Sequence, residues 1–297
     1  MIARCSIHFR RVTSAMAIVA AAACLMAATM PAPTEPGEGI RRTWTIEGTE
    51  RQAIVHLPSG APRPCPLILA FHGHGGSAQR VSRSMHLQGE WPDAVVVYAQ
   101  GLPTKSQRVD PEGRKPGWQN RAGEYGDRDL KLVDAIVESL RNEGWVDDTR
   151  VYATGHSNGA GFTYALWLAR PEMLAAVAPV AGGSLAARQL QPMPCMHIAG
   201  RADSIVPFAG QERVMNVVRQ VNGCEGTGKP WAKDCTRWES VLGTPFVGMV
   251  TDGGHQYPAE APALIVRFLR EHSAWIPCGP PAPGERWPRA VRARSAK

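Results

Sequence analysis

Ser157 sits at the centre of Gly155-His156-Ser157-Asn158-Gly159, between the β-branched and apolar run Val151-Tyr152-Ala153-Thr154 and a helix-like run from Ala160 to Arg170. Glycines two positions to either side of a serine suit a sharp strand-to-helix turn, because they let the two elements pass closely while the hydroxyl stands clear of both. A serine hydroxyl is a weak nucleophile until an imidazole takes its proton, and that imidazole needs a carboxylate to set its tautomer and stabilise its charged form. Both partners can be found downstream. Pro194 to Gly200 reads as a buried strand, and Asp203 lies just beyond its end in Arg201-Ala202-Asp203-Ser204-Ile205-Val206-Pro207; Pro245 to Val250 reads as another strand, and His255 follows on the glycine-flanked loop Gly253-Gly254-His255-Gln256-Tyr257-Pro258. The chain order nucleophile, acid, base is that of the α/β-hydrolases and differs from the orders of the chymotrypsin and subtilisin folds.

An attack on a carbonyl also requires backbone N–H groups for the developing oxyanion. Pro66 to Phe71 is an apolar strand that runs straight into His72-Gly73-His74-Gly75-Gly76. The expected donors are the backbone N–H groups of His74 and of Asn158, the residue after the nucleophile. Zinc binding by His72 and His74 is the alternative, but no downstream Cys or Asp stands at metal-ligand spacing, so no metal or other cofactor is expected. Asp252 competes with Asp203 as the acid but is only three residues from His255. Asp127, Asp129 and Asp134 open a helical segment, where solvated or capping carboxylates are favoured electrostatically.

These groups need a scaffold that brings them to one place. Strand-like runs at Trp44–Ile46, Gln52–Leu57, Pro66–Phe71, Ala94–Tyr98, Val151–Thr154, Ala176–Val180, Met196–Ala199 and Phe246–Val250 alternate, after the third, with helix-like runs. The main helical runs are Asp127–Asn142, Gly159–Ala169, Phe208–Val221 and Ala259–His272. Early strands in succession followed by βα units predict an α/β fold, a mostly parallel central sheet with an antiparallel start and helices on both faces. Ligands bind such sheets beyond the strand C-termini, where Ser157, Asp203 and His255 all fall.

Residues 1–30 combine Arg4, Arg10 and Arg11 with an alanine-rich apolar run from Met16 to Met30, the layout of a signal peptide for a secreted or periplasmic protein. The run is too short for a stable membrane span. Ala21-Ala22-Ala23-Cys24 leaves lipid anchoring through Cys24 as a minor alternative. Residues 31–40 read as a short linker, 41–278 as one catalytic domain, and 279–297 as a basic, proline-rich disordered tail. The leader's three arginines and the tail's five basic residues against Glu285 account for the whole formal charge of +7. The body is therefore neutral and lacks the basic face a nucleic-acid binder needs. Of the seven cysteines, Cys224 and Cys235 flank a Gly/Lys/Pro loop and are expected to pair in an oxidising compartment. The pairing of Cys65, Cys195 and Cys278 stays open, as does the oligomeric state.

Five ordered motifs carry a family resemblance: Leu67 to Gly76, Val151 to Ala160, Ala175 to Gly182, His197 to Pro207, and Gly253 to Pro258. Together they resemble secreted esterases of the polyhydroxybutyrate depolymerase and feruloyl esterase type, over nearly the whole body. The resemblance implies an α/β-hydrolase fold with Ser157, Asp203 and His255 as the triad. Ala160 and Tyr257 depart from the glycine and tryptophan usual in that family, which puts the shape of the acyl pocket in question. His72, Trp118, His156 and Tyr257 are expected along the substrate cleft; Trp118 could equally cap the core. The reading is a cofactor-free serine esterase acting on hydroxyalkanoate oligomers or on feruloyl or acetyl esters. An acyltransferase or peptidase on the same fold and a non-catalytic envelope binding protein are the alternatives. With no appended binding domain after Cys278, soluble oligomers or small aryl esters are the expected substrates rather than insoluble polymer.

Overall fold

The computed structural model describes residues 39–107 and 109–274. The leader, Cys5, Cys24, Cys278 and the tail lie outside these residues. The strands of the main sheet are β1 (Ile40–Ile46), β2 (Thr49–His56), β3 (Cys65–Phe71), β4 (Val95–Ala99), β7 (Val146–His156), β8 (Ala176–Val180), β9 (Cys195–Gly200), β10 (Lys229–Ala232), β11 (Cys235–Trp238) and β12 (Phe246–Thr251); β5 (Leu102–Pro103) and β6 (Pro116–Gly117) form a separate two-stranded ribbon. The order across the sheet is β1-β2-β4-β3-β7-β8-β9-β12-β11-β10. From β4 to β12 every neighbouring pair is parallel, and an antiparallel hairpin closes each side.

The inner strands are buried at every position in β3, β4, β8 and β9, the pattern of strands covered on both faces. Alternate residues serve opposite faces. Leu67, Leu69 and Phe71 of β3 join a core with α3 (Arg128–Asn142), α4 (Asn158–Ala169) and α5 (Phe208–Val221). Ile68 and Ala70 join a second core with α1 (Ala78–Met85), α2 (Leu87–Glu90) and α6 (Ala261–Arg270). All eight expected strands and all four expected helices are present, with ends shifted by a few residues.

Two expectations are overturned here. The segment between Cys224 and Cys235 contains the start of the β10–β11 hairpin, and the two cysteines do not pair: both are free thiols. Cys224 forms a bridge with Ser240 and its Sγ faces the carbonyls of Trp238 and Thr244. Cys235, by contrast, opens β11 opposite Met249. Ser240 is five positions on from Cys235 along extended chain, roughly 16 Å, more than twice the Cα separation a disulfide spans. Asp129 is not a solvated charge. Its carboxylate and the Arg51 guanidinium are both fully buried and paired at 2.7 Å, which satisfies two charges that could not otherwise stay inside.

Candidate active site

The turn between β7 and α4 holds Ser157 at φ 57°, ψ −117°, a backbone conformation costly for any residue with a side chain. Neighbouring structure enforces it. The Ser157 N–H donates to the Val180 carbonyl of β8 at 2.9 Å. A Cβ on Gly155 would overlap the Gly159 carbonyl, and one on Gly159 would overlap the Phe71 carbonyl, so both glycines permit close passage of strand and helix.

His255 and Asp203 arrive from the loops after β12 and β9, which are parallel neighbours and so release their loops at the same sheet edge. His255 Nε2 lies 2.7 Å from Ser157 Oγ, and Nδ1 lies 2.8 Å from Asp203 Oδ2. A carboxylate only accepts, so Nδ1 carries the proton and Nε2 is left to accept from the serine hydroxyl. Asp203 is itself pinned: Oδ1 accepts from the Ile205 and Val206 N–H groups at 2.9 and 2.8 Å, and Oδ2 accepts from Gln211 Nε2 at 3.0 Å. Burial pushes the Asp203 carboxyl up, but the bonds from His255 and from the backbone N–H groups outweigh it and hold the group below the usual carboxylate range. Asp252, the competing acid, is fully exposed and faces Arg201 at 3.7 Å.

The His72–Gly76 loop lies directly against this site. A Cβ on Gly73 would sit 3.4 Å from Ser157 Cβ. The Gly75 and Gly76 N–H groups are used within the protein, by the Pro116 and Gly73 carbonyls at 2.7 and 2.9 Å. Asn158 opens α4, so its N–H has no acceptor inside the helix and sits at the positive end of the helix dipole. Its side chain clamps the facing loop, accepting from the Trp118 N–H at 2.7 Å and donating to the Trp118 carbonyl at 3.1 Å. The His74 ring is held by Asp110 at 3.0 Å. Asp110 in turn accepts from the Lys115 and Arg114 N–H groups, the Lys115 bond being the main influence that lowers its carboxyl to about 2.

Two of the four expected cleft residues are elsewhere. His72 and Trp118 are both 0 % exposed. Both ring nitrogens of His72 are engaged, Nδ1 with the Gly73 carbonyl at 2.8 Å and Nε2 with the Gly101 N–H at 2.9 Å, and burial lowers its pKa to about 4. Trp118 stacks on Phe162 at 5.3 Å and donates from Nε1 to the His72 carbonyl at 2.8 Å. It braces the His72–Gly76 loop. The His156 ring lies 5.0 Å from the His255 ring, and the Tyr257 ring lies 6.1 Å from that of His156. Burial and the neighbouring His255 lower the His156 pKa to about 4. The Tyr257 hydroxyl is buried. The methyl of Ala160 is also buried, against the position where Gly182 lacks a side chain. A cavity of about 570 Å3 opens near the His255 loop, among Gly253, Gly254, Gln256, Met249 and Leu264, but Ser157, Asp203 and His255 do not line it. Among the described residues no group of three or more His, Cys, Asp or Glu side chains is arranged to hold a metal ion, and no helix is long and apolar enough to cross a membrane.

Sequence reasoning missed Gln211, the side-chain donor to Asp203, and the buried Arg51–Asp129 pair. Asp129 accepts from the Gln119 N–H at 2.9 Å and so ties α3 to the loop that Asn158 clamps. The one local signal was a polar residue, His197, inside the apolar run of β9.

Residues 43–181 match the acetyl xylan esterase (AXE1) family model. Feruloyl esterase C of Emericella nidulans is 30% identical over 258 residues, covering 81% of this chain and 89% of that protein. Probable feruloyl esterase C of Aspergillus oryzae is 30% identical over 243 residues, covering 76% and 83%. Among solved structures, the acetyl xylan esterase from Aspergillus awamori superposes with a TM-score of 0.58 at 13% identity, over 77% of this chain and all of that one; a thermostable esterase does so with a TM-score of 0.56 at 17% identity, over 80% and 63%. The fold is that of the α/β-hydrolases, and the chain belongs to the feruloyl esterase C family of carboxylic ester hydrolases.

Proposed function

We propose that the protein is a secreted serine esterase that cleaves feruloyl- or acetyl-type esters through Ser157, His255 and Asp203. The observation that carries this reading is the unbroken path Ser157 Oγ, His255 Nε2, His255 Nδ1, Asp203 Oδ2, with both contacts under 3 Å. Ser157 Oγ attacks the ester carbonyl as its proton passes to His255 Nε2, and Asp203 keeps Nδ1–H in place and stabilises the imidazolium. The N–H groups of His74 and Asn158 receive the oxyanion. Collapse of the tetrahedral intermediate breaks the bond to the alcohol, which takes the proton from Nε2. Water then enters, gives its proton to His255, and releases the acid from Ser157 by the reverse sequence.

The choice of feruloyl and acetyl esters is supported by the feruloyl esterase relatives and the acetyl xylan esterase family match; hydroxyalkanoate oligomers are a third substrate class with the same bond to break. Secretion is supported by the arginine-flanked apolar run Met16–Met30. Parallel assays on methyl ferulate, acetylated xylan and hydroxybutyrate oligomers test the substrate assignment. The expected order puts methyl ferulate or acetylated xylan first by kcat/KM; highest turnover on hydroxybutyrate oligomers would overturn it.

A further inference from the structure

Behind the acid of the triad runs a line of buried polar side chains in a part of the core where apolar residues would pack as well. His197 lies in the middle of β9, Gln211 in the first turn of α5 and Tyr164 in α4; they are 0, 1 and 0 % exposed. Tyr164 Oη is 2.7 Å from His197 Nδ1, His197 Nε2 is 3.3 Å from Gln211 Oε1, and Gln211 Nε2 is 3.0 Å from Asp203 Oδ2. With the triad itself, six side chains from Tyr164 to Ser157 form one hydrogen-bonded chain.

The direction of every bond in it follows from the ends. Gln211 Nε2 meets two acceptors, Asp203 Oδ2 and the Val206 carbonyl at 2.7 Å, so both amide hydrogens are used there and Oε1 must turn to His197. His197 Nε2 is then the protonated nitrogen, Nδ1 accepts, and Tyr164 donates. The reversed amide would set its oxygen against a carboxylate and a carbonyl. Asp203 Oδ2 thus receives two donors, Gln211 and His255, and Oδ1 receives two backbone N–H groups. The backbone N–H groups anchor Oδ1, and the amide is the second donor to Oδ2, fixing the plane in which that oxygen faces the imidazole.

We propose that Gln211 is a positioning residue for the catalytic acid, its amide held in one orientation by His197 and Tyr164, so that Asp203 presents Oδ2 to His255 in the geometry that keeps Nε2 free for Ser157. Burial of polar groups is costly unless each is satisfied, and here each is satisfied in one proton arrangement only. The inference rests on Ser157, His255 and Asp203 being the triad. The titratable groups around the amide and its carboxylate are His255, with His156 beyond it, on one side and His197, Tyr164 and Cys195 on the other.

The test compares Gln211→Leu, Gln211→Glu and Ser157→Ala in the full-length protein, reading kcat and KM on methyl ferulate from pH 5 to 9 and folding by circular dichroism. Gln211→Leu removes the donor while keeping bulk and is expected to lower kcat on the order of 10- to 100-fold with KM within about twofold, because a misaligned base costs rate rather than binding. Gln211→Glu discriminates position from packing. Protonated, it still donates to Asp203 and still accepts from His197; ionised, it sets a second carboxylate against Asp203. Its activity is therefore expected to stand near that of the wild type at the acidic end and to fall as pH rises, an alkaline limb the wild type lacks. If Gln211→Leu does not fold, Gln211→Glu alone carries the test. Wild-type kcat and a superimposable pH profile in Gln211→Glu, with Ser157→Ala inactive, would overturn the positioning role; failure of Gln211→Glu to fold at pH 5 would do the same. Activity retained in Ser157→Ala would instead overturn the triad.

Discussion

Replacement of Asp203 by asparagine has a calculable consequence. Asp203 Oδ1 accepts from two rigid backbone donors, the N–H groups of Ile205 and Val206. An asparagine is expected to keep its one carbonyl oxygen there, since the backbone N–H groups cannot turn away, whereas His255 and Gln211, the donors to Oδ2, can change tautomer or rotate. The NH2 then occupies the place of Oδ2 and faces His255 Nδ1, 2.8 Å away in the native protein. Two donors cannot share that contact. His255 responds by moving its proton to Nε2, which leaves Nδ1 to accept from the amide and points an N–H at Ser157 Oγ, so the base is protonated on the wrong nitrogen. Loss of the correct tautomer in a serine triad costs about 10⁴ in kcat, roughly 5 kcal/mol of barrier at about 1.4 kcal/mol per tenfold. The assay is kcat on methyl ferulate, with a melting curve to confirm folding and Asp252→Asn as comparison. Asp252 is fully exposed, and its variant should stay within about twofold of wild type because surface charges contribute little. An Asp203→Asn enzyme within tenfold of wild type, or one less impaired than Asp252→Asn, would refute this hydrogen-bond accounting.

Three further outcomes follow from the same structure. Arg51→Met strands the buried Asp129 carboxylate and should destabilise the fold by about 3 to 5 kcal/mol, a fall in Tm of roughly 6 to 20 °C; an unchanged Tm would contradict the buried pair. Alkylation of the unreduced, unfolded protein followed by peptide mass spectrometry should recover Cys224 and Cys235 each with its own label, and a linked peptide pair would contradict their separation. His72, His156 and His197 sit at about 4 in the folded protein against 6.5 in the open chain, each chiefly through burial. The unfolded state therefore binds protons that the folded state excludes, so this stability is complete above pH 6.5 and is lost as pH falls toward 4. Tm should drop across that window, before the carboxylates titrate. A flat Tm from pH 7 to 4.5 would show that these rings are not buried neutral.

Much of this arrangement is legible in residue order because its signals are local. The continuous apolar runs of β3, β4, β8 and β9 mark strands covered on both faces, and the glycines around Ser157 mark the turn that exposes it. The β10–β11 hairpin escapes notice for the opposite reason. Lys229–Trp238 is an edge ribbon of mixed charge and polarity with no clean alternation, and the loop it replaces made a disulfide between Cys224 and Cys235 look geometrically natural. The helix α1 carries its apolar residues at Ala78, Val81 and Met85 and is capped by Ser77, but its polar remainder hides the period. Residue order leaves Trp118 open between cleft and core and reads Asp129 as solvated or capping, because what buries them is distant in sequence. Phe71 and Phe162 receive the tryptophan, and Arg51, 78 residues away, neutralises the aspartate. Gln211 is only eight residues after Asp203, but nothing in residue order shows that the turn into α5 sets its amide against that carboxylate.

In the proposed reaction Ser157 carries the acyl group during ester hydrolysis. Rapid acid quench during turnover of a slow aryl ester, followed by peptide mass spectrometry, measures this directly. One added acyl mass is expected on the peptide containing Ser157, absent from Ser157→Ala. Continued hydrolysis with the acyl group on another residue, or steady turnover by Ser157→Ala, would contradict it.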